Sequence, residues 1–147
     1  MEFGIGDATR VRHAPVAAAS EDKDEIRELY ARYCLYFDRG AAAEWAACYT
    51  DDGEFIGAGQ HLKGRRAMEE YLAGLTVGAM HRFTANHVID LDGDHAVCHS
   101  SVLLLADGEI ASSGRTVDEL ERVDGAWKIA RRTYEADART VLSSRDR

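Results

Sequence analysis

Met80-His81-Arg82-Phe83-Thr84-Ala85-Asn86-His87-Val88-Ile89-Asp90-Leu91-Asp92-Gly93-Asp94 is the stretch that decides the architecture of this chain. His81, Phe83, Ala85, His87, Ile89 and Leu91 alternate with Arg82, Thr84, Asn86, Val88 and Asp90. That period of two predicts a strand with one mostly apolar face. Asp92-Gly93 is a hairpin signal, because both residue types tolerate the positive φ that a tight turn requires. A returning strand is therefore expected from Asp94 to Leu105. Asp107-Gly108 marks a second hairpin into a strand over about 109–123, and Asp124-Gly125 leads into another over about 126–134. These turns join long strands into an antiparallel meander.

Upstream of residue 80 the period is helical. Ser20 can cap a helix whose first turn carries Glu21, Asp22, Asp24 and Glu25, the sign of charge that a helix N-terminus favours. Ile26, Leu29, Tyr30, Tyr33 and Phe37 recur at spacings of three and four, giving one apolar face on a helix that runs to about Asp38 and stops at Gly40. A short helix over about 42–49 places Trp45 and Tyr49 on one face. Glu54-Phe55-Ile56 begins a first strand running into Gly57 and Gly59. Arg65 to about Leu75 forms a third helix with Met68, Tyr71, Leu72 and Leu75 inward. Helices first and antiparallel strands after them predict an α+β fold, with the helices packed on one face of a curved sheet. Residues 1–19 read as a flexible N-terminal arm, 20–136 as the domain, and 137–147 as a polar C-terminal tail.

The chain has 147 residues, enough for one domain, with 46% apolar and 30% charged residues. Its formal charge of −8 repels phosphate backbones, and no basic patch offsets it, so nucleic-acid binding is not expected. Cys34, Cys48 and Cys98 are odd in number and widely spaced, which suggests neither a disulfide framework nor a metal knuckle. Free buried thiols and a cytoplasmic location are the expectation. No apolar run approaches the ~18 residues that span a bilayer. His95 and His99 sit roughly 13 Å apart if both lie on one strand, too far to share an ion, and no metal is expected.

Two residues stand out chemically. Asp38 ends an apolar helix, where the macrodipole opposes a negative charge, and the ridge of Tyr30, Cys34 and Asp38 points its carboxylate toward the interior. His81 opens an apolar strand. A carboxylate and an imidazole that both need partners look like an acid/base pair, although helix-end solvation by Arg39 and a backbone-bonded core histidine are the plainer alternatives. Tyr33 has a hydroxyl that needs a buried partner and could polarise a carbonyl. Tyr30, Trp45, Tyr49 and Phe83 are aromatic residues at core-compatible spacing that could also line a pocket. His87 and His99 read as strand histidines, with His99 retained as a possible pocket residue. Of Arg131 and Arg132, which alternate faces, at most one can point into a pocket.

The order helix-YFDRG-helix-WxxxYTDDGEF, G-x3-M, H-x4-N-x2-I-x2-DGD-x-A and L-x-R-x-DG-x-W-x-I resembles the nuclear transport factor 2 superfamily over about residues 21–136. Within it the chain is most similar to the polyketide-cyclase-like (SnoaL-like) branch that includes scytalone dehydratase, bile-acid 7α-dehydratase and hexachlorocyclohexane dehydrochlorinase. The resemblance implies a cone-shaped α+β barrel with a deep pocket between sheet and helices, and a homodimer or homotrimer built on the outer face of the sheet. It also implies an aspartate-histidine dyad at Asp38 and His81, with Tyr33 matching a tyrosine five residues before the aspartate. The tyrosine that scytalone dehydratase carries on its first strand falls near Gly57 here, and its second histidine has no counterpart in residues 109–115. The expected function is that of a cofactor-independent lyase, dehydratase-like, on a small hydrophobic cyclic or polyketide-like substrate. An isomerase or cyclase could use the same pocket. A non-catalytic binding module or a dioxygenase small subunit is the rival from another class, and it should show apolar residues on both faces of the sheet.

Overall fold

The computed structural model describes the backbone of residues 5–137 and the side chains of residues 18–137. Helix α1 (Ile5–Asp38) is followed by the short α2 (Ala42–Ala46), strands β1 (Tyr49–Gly57) and β2 (Gln60–Lys63), and helix α3 (Arg65–Ala73). Then come the long strands β3 (Met80–Asp92), β4 (His95–Ala106), β5 (Glu109–Val123) and β6 (Ala126–Ala136). The six strands form one curved, unclosed sheet in the order β2-β1-β6-β5-β4-β3, with β1 parallel to β6 and all other neighbours antiparallel. The α+β architecture expected from the periodicities is present, with helices against one face of the sheet.

Three details differ from the sequence reading. Helix α1 begins at Ile5, so Ser20 lies within it. Val16-Ala17-Ala18-Ala19 contains no residue that would stop the helix at Ser20, although Pro15, ordinarily a helix breaker, also falls within α1. Residues 1–4 and 138–147 lie outside the described residues, and with them part of the expected arm and most of the expected tail. Second, α2 ends at Ala46, and Tyr49 opens β1 instead of closing the helix. Third, Gly57 and Gly59 do not end the strand region but turn it back as the β1–β2 hairpin, with Ala58 at φ 50° between them.

Interior packing follows the helical stripe. Ile26, Tyr30 and Tyr33 are fully buried and Phe37 is nearly so, on the face of α1 that packs chiefly across β3. Each such side chain contributes roughly 1.5–3 kcal/mol relative to an exposed position. Trp45, Tyr49, Met68, Leu72, Trp127 and Ile129 complete the core between the helices and the sheet. Of the residues expected inward on α3, Met68 and Leu72 are buried, Tyr71 packs partly, and Leu75 is exposed.

One irregularity governs the site. The β3–β4 register shifts between Ala85 and Val88, and Asn86 sits at φ 56°, which marks a bulge. A single extra residue exchanges the faces of a strand. N-terminal to the bulge Met80, Arg82 and Thr84 are the less exposed set, whereas after it His87, Ile89 and Leu91 are. The expected inward face of His81, Phe83 and Ala85 is therefore corrected: these three point outward, and Arg82 points in.

Candidate active site

A cavity of about 240 Å³ opens between the helices and the sheet. Tyr33 and Phe37 of α1, Trp45 of α2 and Tyr71 of α3 form its helical wall. Met80 and Arg82 of β3, Val102 and Leu104 of β4, Ser112 of β5 and Tyr134 of β6 form its sheet wall, and Phe55 and Ala58 close it near the β1–β2 hairpin. Tyr134 reaches its place because Gly57 and Gly114 flank it; a methyl group at either would run into the Tyr134 side chain.

The aromatic residues interlock. Trp45 lies 5.5 Å from Tyr33, 5.7 Å from Phe37 and 5.7 Å from Tyr49, centroid to centroid and tilted or edge-on, arrangements favoured by the ring quadrupoles. The Tyr33 and Tyr49 hydroxyls are hydrogen-bonded at 3.0 Å in the buried interior. Burial, followed by the proximity of Tyr33, pushes the Tyr49 phenol well above its ordinary value, so Tyr49 stays protonated and supports Tyr33. At the sheet wall Ser112 and Tyr134 share a second hydroxyl pair.

Beneath the tyrosines lies a buried ion pair. Arg132 Nη1 donates to Asp118 Oδ2 at 3.2 Å, and neither side chain is exposed. The guanidinium sits 4.6 Å from the Tyr33 ring centroid and 5.7 Å from that of Tyr30. Burial opposes the Arg132 charge, but Asp118 and then the surrounding tyrosines more than offset it and hold its pKa above the ordinary arginine value. Burial raises the Asp118 carboxyl, and Arg132 pulls it back. Arg132, not Arg131, is thus the inward member of the pair. Nothing in the sequence alone singles out Asp118, because its role depends on the cross-strand register that sets it opposite Arg132.

Asp38 and His81 come together at the edge of this cavity. Asp38 Oδ1 accepts the Arg82 backbone N–H at 2.8 Å, tying the end of α1 to the start of β3. Asp38 Oδ2 lies 3.8 Å from His81 Nδ1, within ion-pair range and beyond a direct hydrogen bond. The His81 side chain is 68% exposed and does not line the cavity, although Phe37, Met80 and Arg82 beside the pair do.

The other candidates divide between the two sides of the sheet. Tyr33 and Trp45 line the cavity, and Tyr49 stands behind Tyr33. Tyr30 is buried deeper and stacks on His87 at 5.0 Å; burial first, then Asp118, raises its phenol well above the ordinary value. Phe83 and His99 do not reach the cavity: Phe83 is 51% exposed, and His99 lines a shallow groove on the outer face with Arg115 and Glu135. That outer face also exposes Val88, Val97 and Val117. Arg82 was not singled out by sequence reasoning. Asn86 was its available signal, since asparagine readily adopts the positive φ that a bulge can require.

Among the described residues no group of three or more His, Cys, Asp or Glu could hold a metal ion, and no helix is long and apolar enough to cross a membrane. Cys34, Cys48 and Cys98 are buried and free.

With this geometry established, the relatives are informative. A single-residue variant of Rv3472, a protein of unknown function from Mycobacterium tuberculosis, is 31% identical, with 88% of this chain and 80% of that one covered at a TM-score of 0.77. An NTF2-like protein with a cystatin-like fold from Novosphingobium aromaticivorans is 26% identical over 95% of this chain and 97% of its own, also at a TM-score of 0.77. A candidate scytalone dehydratase from the same organism is 24% identical, covers 84% and 89%, has a TM-score of 0.73, and shares the fold. No curated protein matches the chain. The family model for the SnoaL-like domain matches residues 18–133, which span the C-terminal part of α1, α2, α3 and nearly all of the sheet, and the chain therefore belongs to the SnoaL-like family with an NTF2-like, cystatin-like fold.

Proposed function

We propose that this protein is a cofactor-independent acid/base enzyme, a lyase of the dehydratase type, acting on a small cyclic or polyketide-like carbonyl compound. The observation that carries the reading is the aromatic cavity with Tyr33 in its wall, its hydroxyl bonded to Tyr49 behind it, and the Asp38 carboxylate beside the His81 imidazole at its edge. A candidate scytalone dehydratase with the same fold supports it at the level of reaction class.

In this mechanism His81 Nε2 removes the proton next to the substrate carbonyl. The electron pair moves onto the carbonyl oxygen, where Tyr33 O–H donates to the developing enolate. Collapse of the enolate expels the β-hydroxyl, which leaves as water with the proton returned by His81. Asp38 orients the imidazole through Nδ1 and balances the imidazolium charge, as a carboxylate does for other catalytic histidines. The 3.8 Å separation needs to close by about 1 Å on substrate binding, a tightening common in unliganded acid/base sites, and the outward-facing His81 ring has to turn toward the cavity as it does so. Returning the proton to another carbon would instead give isomerisation. Assembly as a homodimer or homotrimer over the outer sheet face is part of the same proposal, supported by exposed Phe83, Val88, Val97 and Val117.

The test is product formation by the wild-type protein from a panel of one- and two-ring β-hydroxy carbonyl compounds, followed by the absorbance of the conjugated product and by α-deuterium uptake in heavy water. Conjugated product supports a lyase, and deuterium uptake without it supports an isomerase. Binding without either outcome supports the second reading, a non-catalytic small-molecule module. The high exposure of the His81 ring is the observation that favours that alternative.

A further inference from the structure

The cavity's charge is unbalanced. Arg82 and Arg132 both stand on the inner face of the sheet, but only Arg132 has a built-in counter-charge, Asp118 at 3.2 Å. Among the described residues no carboxylate lies within ion-pair distance of the Arg82 guanidinium, and its buried Nε has no hydrogen-bond partner. Asp38, the nearest candidate along the chain, gives one oxygen to the Arg82 backbone N–H and turns the other toward His81. The guanidinium is held over the Phe37 ring at 4.1 Å from its centroid, which fixes it without neutralising it. A second donor is orphaned in the same cavity wall, since the buried Trp45 Nε1 has no partner either.

An unpaired buried donor is costly in a folded protein, and Arg82 Nε and Trp45 Nε1 are both in that position although the Arg82 side chain as a whole is half-buried. Both donors belong to residues lining a cavity whose other walls are apolar or aromatic. From this juxtaposition we propose that Arg82 is a specificity-determining residue that binds an anionic oxygen group, a carboxylate, on a compact aromatic or cyclic substrate. The cavity volume of about 240 Å³ falls below the usual range for drug-sized ligands and limits the occupant to one or two rings. The planar fork of the guanidinium matches a carboxylate, Phe37 and Trp45 pack the ring, and Tyr33 remains available for a carbonyl. The bulge at Asn86 is what delivers Arg82 to this position. The inference rests on the cavity being the substrate site, but not on any catalytic role for Asp38 or His81.

Isothermal titration with benzoate and trans-cinnamate, against benzamide and cinnamamide, tests it without requiring turnover. The carboxylates should bind about 10–100-fold more tightly than the amides of the same shape. Arg82→Gln should erase that preference, the carboxylates losing far more affinity than the amides, and Arg82→Lys should restore part of it. Equal affinity of acid and amide for the wild-type protein overturns the proposal, as does failure of all four probes to bind at millimolar concentration. Because the wild-type ratio decides the matter, a poorly folding Arg82 variant does not rescue it. Preference for carboxylates that survives His81→Gln, with no turnover of the β-hydroxy carbonyl panel by the wild type, would uphold the anion site and sink the lyase reading separately.

Discussion

Asp118→Asn should destabilise this protein by about 3–5 kcal/mol, the usual cost of stripping one partner from a buried ion pair. The substitution keeps an acceptor 3.2 Å from Arg132 Nη1 but removes the charge, and Arg132 has no exposed surface through which water could compensate. Arg132 Nε and Nη2 and Asp118 Oδ1 already lack hydrogen-bond partners, so the pair is held by its charges and one hydrogen bond. For a domain of this size each kcal/mol moves the melting temperature by about 2–4 °C, which gives a fall of roughly 6–20 °C. Thermal and urea denaturation at neutral pH would measure it. The double variant Asp118→Leu/Arg132→Met, which removes both charges at similar volume, should recover most of the loss. Stability of Asp118→Asn within about 1 kcal/mol of wild type, or a double variant no better than the single one, would refute the claim that this pair anchors the floor beneath Tyr33.

The remaining predictions concern the bulge and the titrating groups. Asn86→Val should cost roughly 1–2 kcal/mol in urea denaturation, because a β-branched residue resists the φ of 56° that Asn86 adopts. Burial pushes Cys48 and Cys98 up to about 11, so neither should react with a thiol reagent at pH 8 in the folded protein. The sign for stability follows: the protonated thiols favour the folded state, and their contribution, complete below the ordinary cysteine value near 9, should fade as pH rises to about 11. His87 gives the opposite slope, since burial lowers its pKa. Its contribution is present above about 6.5 and should be lost as pH falls below that value, an acid-side loss that His87→Gln should reduce.

Much of the fold was legible because its signals are local. The stripe of Ile26, Tyr30, Tyr33 and Phe37 lies on one helical face whatever it packs against, and Asp92-Gly93, Asp107-Gly108 and Asp124-Gly125 mark turns by their own conformational tolerance. Strand β2 was missed because Gly57-Ala58-Gly59 can end a strand or reverse it, and only pairing with Gln60–Lys63 decides between them. The orientation of β3 was missed for a sharper reason. Residues 81–91 carry apolar and polar groups on both alternating sets, so a one-residue bulge leaves no contradiction in the pattern while it exchanges His81 for Arg82 at the cavity wall. The Asp118–Arg132 pair was invisible because opposite charges meet only through strand register. Asp38 and His81 could be paired from sequence, but neither the 3.8 Å gap nor the exposure of the imidazole could be read there.

The acid/base account is tested most directly by the turnover of His81→Gln, Asp38→Asn and the double variant on a β-hydroxy carbonyl substrate of the wild-type protein, with thermal melts alongside. His81→Gln should lower the rate about 10²–10⁴-fold with the fold intact. Asp38→Asn should also cost activity, and the double variant should be barely worse than the worse single one, because groups that act as a unit are not additive. Full turnover in His81→Gln would contradict the account.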